Sequence, residues 1–343
     1  MKENMVKPFI TVVMPVYNEG RFIEQTLRQL LAQEYPADRY EILVADGMST
    51  DTTREMVRTL ANEYPQIKLL DNPKRKSSAG RNVGFQNGRG EYFLVVDGHC
   101  YIPNNHLLNS VTDCFRASGA DCLGRPQPLD PPDLSPFQQA VALARGSRLG
   151  HGGDSLIYSE YEGFCSPVSN GAAYARRVFE KVGYVDEQFD ACEDVEFNYR
   201  VEQAGMTCYT SPKLTIQYYP RENLRALWRQ MVRYGEGRFL FIRKHPKALT
   251  GNQLIPVGFA VGLLLALIYP VYGGLLGSIG LLVSRVLFAG FGLYFIVILL
   301  SALKLSVRKK WVYFLRLPCI FFCIHAGLGL GFIKLALTPS YRM

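Results

Sequence analysis

Three short stretches of this chain carry acids in positions that suggest chemistry. Pro15-Val16-Tyr17-Asn18-Glu19 follows a β-rich run. Asp46-Gly47-Met48-Ser49-Thr50-Asp51 follows a second, and Asp97-Gly98-His99 a third. A carboxylate ending a buried strand is costly unless a cation or hydrogen-bond donors meet it. Asp46 and Asp97 both stand at such ends. A divalent metal bound with a nucleotide diphosphate would satisfy both. Asp51 has a plainer reading, as a cap on the helix that follows.

These loops need elements to hold them. Residues 9–14, 41–45, 67–70 and 92–96 are rich in β-branched and aromatic residues. Between them, 22–31, 52–64 and 78–86 repeat apolar residues at helical spacing. Strands alternating with helices predict an α/β fold, a mostly parallel sheet with helices on both faces. In such sheets ligands bind beyond the carboxyl ends of the strands. The acidic loops follow those ends. No glycine-rich dinucleotide fingerprint and no phosphate-binding P-loop follows a strand.

The character of the chain changes near Asn252. Of 343 residues, 48% are hydrophobic, and after that point they gather into long runs. A membrane-crossing helix needs about 20 apolar residues. Three stretches qualify, at 254–272, 283–303 and 314–337. The glycine-rich segment 273–285 lengthens a neighbour, lies at the interface or makes a short fourth pass. This divides the chain into a 1–248 domain and a 249–343 membrane domain.

Lys304, Arg308, Lys309 and Lys310, with Arg238, Arg243, Lys244 and Lys247, set the orientation. Basic loops stay cytoplasmic, so three passes place the C-terminus outside. Gly327-Leu328-Gly329-Leu330-Gly331 reads as a helix-packing surface.

The net charge of +8 fits an anionic membrane surface or phosphorylated substrates. Nucleic acid is not expected as a partner, because no nucleic-acid-binding signature is present. The eight cysteines lack metal-ligand spacing. The opening Met1-Lys2-Glu3-Asn4 is unlike a signal peptide, so reduced thiols are expected. Arg148 to Tyr161 reads as a mobile loop. Its His151 is read as a loop residue rather than a ligand.

With these motifs in this order, residues 9–244 resemble the family 2 glycosyltransferases, which have the GT-A fold. The nearest likeness is to membrane glucosyltransferases of succinoglycan-type exopolysaccharide assembly. The resemblance places Pro15, Tyr17 and Glu19 in a donor-site loop and Asp46 at the nucleobase. Here Ala45 stands where many relatives carry a second Asp. Ala79-Gly80-Arg81-Asn82-Val83-Gly84 resembles the segment that brings a basic residue to the donor. The guanidinium of Arg81 suits phosphate or ribose oxygens, and a surface arginine at a helix start is the plain alternative.

Asp97-Gly98-His99 stands in place of Asp-x-Asp. This implies Asp97, with or without His99, on Mn²⁺ or Mg²⁺. An imidazole suits Mn²⁺ better. His99 as a hydrogen-bonding loop residue is the other reading.

Cys192-Glu193-Asp194 resembles the family's Glu-Asp motif and implies Asp194 as general base, with Glu193 beside it. A carboxylate is ionised at neutral pH and ready for that role. Gln230-Met231-Val232-Arg233-Tyr234 is similar to the Gln-x-x-Arg-Trp motif of processive synthases, with Tyr for Trp. Gln230 and Arg233 share a helix face. Arg233 would stabilise the departing diphosphate, or the helix would lie on the membrane.

The resemblance implies an inverting transfer of one sugar, a glucose or related hexose, from a UDP-sugar. The acceptor would be a saccharide linked to a polyprenyl diphosphate lipid at the cytoplasmic face of the cell membrane. A processive synthase and a catalytically silent membrane scaffold are the alternatives.

Overall fold

A computed structural model of the chain describes residues 6–151, 156–272 and 277–338. In chain order the elements are β1 (Ile10–Val16), α1 (Ile23–Leu31), β2 (Tyr40–Asp46), α2 (Thr53–Glu63), β3 (Ile67–Asp71), α3 (Ser77–Asn87), β4 (Tyr92–Val95), β5 (Cys100–Tyr101), α4 (Leu107–Ser118) and β6 (Cys122–Gly124). Then come α5 (Pro136–Arg145), α6 (Arg148–His151), β7 (Gly163–Cys165), α7 (Pro167–Asn170), β8 (Gly171–Ala175), α8 (Arg176–Val182), α9 (Glu193–Gln203), β9 (Cys208–Thr210) and β10 (Gln217–Tyr218). The helices α10 (Leu224–Lys244), α11 (Gly251–Tyr272), α12 (Gly277–Arg308) and α13 (Leu317–Leu337) complete the chain.

The chain forms two compact units. The first is Met1–Pro132 with Asp154–Tyr219, the second Asp133–Gly153 with Pro220–Met343.

The first unit is built on an eight-stranded sheet in the order β3-β2-β1-β4-β8-β6-β9-β7. β1, β2, β3 and β4 are parallel. β8 runs against both β4 and β6, and β7 against β9. The sheet is therefore parallel where the helix-strand alternation is regular and mixed beyond β4.

The alternation along each strand divides the core in two. Val12, Met14, Ile42, Val44 and Leu94 face one cluster with α1, α2 and α4. Val13, Phe93 and Val95 face the other with Phe85, Phe179 and Phe197. Register places Asp46 opposite Val16, and Val95 opposite Val13. Asp46 and Asp97 thus emerge at the same edge of the sheet, which is how the acidic loops come to share one end.

In the second unit three helices are long and apolar enough to cross a membrane, at Gly251–Tyr269, Gly277–Val307 and Leu317–Leu337. Residues 277–285 continue α12 as one helix, so this part of the glycine-rich segment lengthens the second span. Its residues 273–276 lie outside the described residues. The core of this unit joins Ala140, Val141 and Ala144 of α5 to Leu227 and Met231 of α10 and to Leu317, Ile320, Phe321 and Ile324 of α13. By its contacts α10 thus groups with the apolar helices.

Candidate active site

Asp46 is fully buried. Its Oδ2 accepts from Arg54 Nη1 at 2.6 Å and from the Ser49 amide at 3.0 Å. Arg54, on α2, also holds Asp71 at 2.7 Å. The cation that a buried carboxylate needs here is this guanidinium rather than a metal ion. The other oxygen, Oδ1, has no hydrogen-bond partner among the described residues. A buried acceptor without a donor is rare and calls for a ligand or a function. The cap position of α2 is Thr52, so Asp51 stands one residue before the place its plain reading expects. Its Oδ1 accepts from the Thr53 amide at 3.0 Å at the start of α2, and its Oδ2 from the Gly20 amide.

The loop after β1 is tied to the loop after β2. Asn18 Oδ1 accepts from the Thr50 amide at 2.8 Å, and the Asn18 amide donates to Ser49 Oγ at 2.8 Å. Asn18, Met48 and Cys192 all hold positive φ, near 60°. Left-handed backbone at residues other than glycine is strained and gathers at functional sites. These three stand after β1, after β2 and just before α9, where the candidate residues lie. Pro15 is paired within the sheet opposite Ala45, and Tyr17 is exposed.

After β4, the half-buried Asp97 makes no side-chain hydrogen bond to another described residue. His99 is different. Its Nδ1 lies 2.7 Å from Glu19 Oε1, and its Nε2 is hydrogen-bonded to the hydroxyl of Tyr218 on β10. Both ring nitrogens are engaged, so neither is left for a metal in this arrangement. These are contacts of the kind that the hydrogen-bonding reading of His99 expects. The described residues hold no group of three or more His, Cys, Asp or Glu side chains able to bind a metal ion.

Arg81, on α3, is largely buried. Its Nη2 lies 3.4 Å from Glu193 Oε1. Burial works against its charge, but the carboxylates of Glu193, Asp194 and Asp97 outweigh that and hold the guanidinium above its ordinary pKa. Burial pushes the Glu193 carboxyl up, with Arg81 opposing and Asp194 reinforcing. Ser77 Oγ donates to Glu193 at 2.9 Å. Arg81 is therefore a countercharge among carboxylates rather than a surface arginine. Its Nε has no partner among the described residues. Glu193 is buried, whereas Asp194 is half-buried in the first turn of α9. One guanidinium thus senses the metal-ligand candidate and both acids of the Glu-Asp pair.

Arg54, Arg125 and Tyr218 escaped the reading of the sequence. Arg125, just after β6, is buried, and its Nη1 donates to the Val95 carbonyl. Burial pulls its pKa below the ordinary value, while Cys100 and Asp97 oppose this. A lone arginine after a three-residue strand carries no signal in sequence. Gln230 and Arg233 lie on α10 in the second unit. Gln230 is buried, and its Nε2 donates to the Tyr234 hydroxyl at 3.2 Å; Arg233 is exposed. The side chain of His151 lies outside the described residues.

The fold and the strand-end acids define a GT-A sugar-transfer enzyme, and the comparisons agree. Residues 11–183 match the model of glycosyl transferase family 2, and the chain belongs to that family. The succinoglycan biosynthesis protein ExoA of Rhizobium meliloti is 35% identical over 75% of this chain and 78% of its own.

A Methanococcus voltae protein is 27% identical over 95% of this chain and 96% of its own. It is named dolichyl N-acetyl-alpha-D-glucosaminyl phosphate 3-beta-D-2,3-diacetamido-2,3-dideoxy-beta-D-glucuronosyltransferase. Among solved structures, the mannosyltransferase PcManGT of Pyrobaculum calidifontis, in complex with GDP-Man and Mn²⁺, superposes with a TM-score of 0.61. It is 18% identical, covering 97% of this chain and 88% of its own.

Proposed function

We propose that this protein is an inverting glycosyltransferase that adds one hexose, glucose or a close relative, from a UDP-sugar to a saccharide on a polyprenyl diphosphate lipid. The membrane is the cell membrane, with catalysis at its cytoplasmic face. The observation that carries the reading is Arg81, largely buried with its Nη2 3.4 Å from Glu193 Oε1 and under the charges of Asp194 and Asp97. That arrangement supports reading Asp194 as the base and Asp97 as the acid on the phosphate side.

In this reading the loop of Pro15, Tyr17 and Glu19 and the free Oδ1 of Asp46 receive the nucleoside. Arg81 Nε remains as a donor to a ribose or phosphate oxygen. Asp194 takes the proton from the acceptor hydroxyl as that oxygen bonds to the anomeric carbon and the bond to the diphosphate breaks. Attack opposite the leaving group inverts the anomer. Asp97 would hold Mn²⁺ or Mg²⁺ together with the donor phosphates. When bound, the ion supplies positive charge to the departing diphosphate. Arg233 adds to that charge, with Gln230 beside it.

The relatives' names support a lipid-linked or polysaccharide context, and the Mn²⁺ in the PcManGT complex supports a divalent ion. The test is nucleoside diphosphate release from a panel of UDP- and GDP-sugars, with a lipid-linked acceptor and Mn²⁺ or Mg²⁺. Release from one donor that depends on acceptor and metal supports the proposal. No release with any donor, with nucleotide still bound, favours a silent scaffold. The Gln230-to-Tyr234 sequence favours a second reading, a processive synthase. Product length separates the two.

A further inference from the structure

α10 and α13 share one long contact. Cys323 Sγ lies by the Leu224 carbonyl, and Lys334 Nζ pairs with Glu236 Oε1 at 2.7 Å. Between these, Gly327 faces Met231, Gly331 faces Val232, and Gly235 lies on the backbone of Leu328 and Phe332. The ring of Phe239 meets that of Phe332. Positions rise together along both helices, so they run side by side in the same direction. The glycines permit it, because a methyl group at any of the three would meet the other helix.

α10 is not a helix that hydrocarbon accepts. Arg225, Arg229 and Arg233 recur every four residues and are exposed, as are Arg243 and Lys244 at its end. A row of guanidiniums within lipid tails is strongly disfavoured. Whatever depth residues 323–334 take in a bilayer, residues 224–239 take with them. Half of the α13 span is buried inside the protein, against 6% for α11 and 11% for α12. Polar groups also meet α13 along its length. The Tyr313 hydroxyl just before it bonds Gln139 of α5, and His325 Nε2 lies 2.7 Å from the Leu149 carbonyl of α6.

α11 and α12 show the opposite character. Leu267, Ile279, Phe288 and Leu293 are each more than 60% exposed. Their contacts with α13 fall in the first half of α11, at Pro256, Phe259 and Ala260, and just past the middle of α12, at Tyr294.

We infer that the surface offered to lipid tails is the α11–α12 hairpin alone. α13, apolar as it is, lies with α10 on the side where α11 enters and does not cross. This replaces the three-pass reading and returns Thr338 to the side of Lys247. The inference rests on the membrane reading above, and the experiment separates the two.

The exposed thiol of Cys319 is first removed as Cys319→Ser in the full chain. Lys247→Cys, Ser278→Cys and Thr338→Cys are then labelled one at a time in sealed vesicles of each orientation, with a membrane-impermeant maleimide. The expected result is Thr338→Cys labelled with Lys247→Cys and opposite Ser278→Cys. Leu337→Cys, one residue earlier, serves as a second reporter. Labelling of the C-terminal position on the side of Ser278→Cys overturns the inference and restores three passes. Labelling of Lys247→Cys and Ser278→Cys on one side overturns the membrane hairpin itself.

Discussion

Glu19 Oε1 and His99 Nδ1 lie 2.7 Å apart, which joins the loop after β1 to the loop after β4. The far side of the ring is held by Tyr218. A histidine gripped at both nitrogens orients its loop, and Asp97 lies two residues before it. His99→Asn should therefore lower turnover about 10- to 100-fold, as loss of an orienting contact does, while the metal concentration for half-activation stays within about threefold. A metal titration of the variant checks this. A matching 10- to 100-fold rise in the half-activating concentration would make His99 a ligand.

Asp194→Asn keeps the shape of the side chain and removes the proposed base. Turnover should fall about 10²- to 10⁴-fold with the donor dissociation constant nearly unchanged. Single-turnover kinetics beside nucleotide titration separates the two quantities. Near-normal turnover would reject Asp194 as the base.

At Asp46 the predicted effect lies in binding. Asp46→Asn weakens the Arg54 contact and alters the acceptor at Oδ1. A hydrogen bond to a charged group contributes about 1.5–3 kcal/mol, so the donor KM should rise about 10- to 150-fold. Turnover at saturating donor should stay within a few-fold. An unchanged KM would separate Asp46 from the nucleoside.

Glu41 supplies a test of stability far from the chemistry. It is buried and accepts from Thr11 Oγ1 at 3.0 Å, the Arg89 amide at 2.7 Å and Lys68 Nζ at 3.0 Å. Burial raises its pKa, but these donors, the Arg89 amide foremost, more than offset that and hold it below the ordinary value of 4.5. A depressed carboxylate stabilises the fold above its unfolded pKa, and the gain is lost as pH falls through the folded value. Glu41→Gln should cost about 1–3 kcal/mol at pH 7, and the difference from the parent should shrink as pH drops below about 4.5. Denaturant unfolding at pH 7 and in the acid range measures both. A penalty independent of pH would mean that shape and not charge is at stake.

Much of this protein was legible in its sequence because the signals are local. Runs of β-branched and aromatic residues marked the first four strands, and helical spacing the helices between them. The strand-end rule then pointed to Asp46 and Asp97, and the Glu-Asp pair stood out by resemblance.

What only the tertiary structure decided depends on residues distant in the chain. Arg54 neutralises Asp46, Tyr218 closes on His99 across 119 positions, and Arg81 meets Glu193 from another helix. Segment 133–153 joins the apolar helices, although nothing in its composition says so. Hydropathy counts what a residue is, whereas lipid exposure depends on what covers it. That is why α11 and α13 look alike in sequence and differ in the fold.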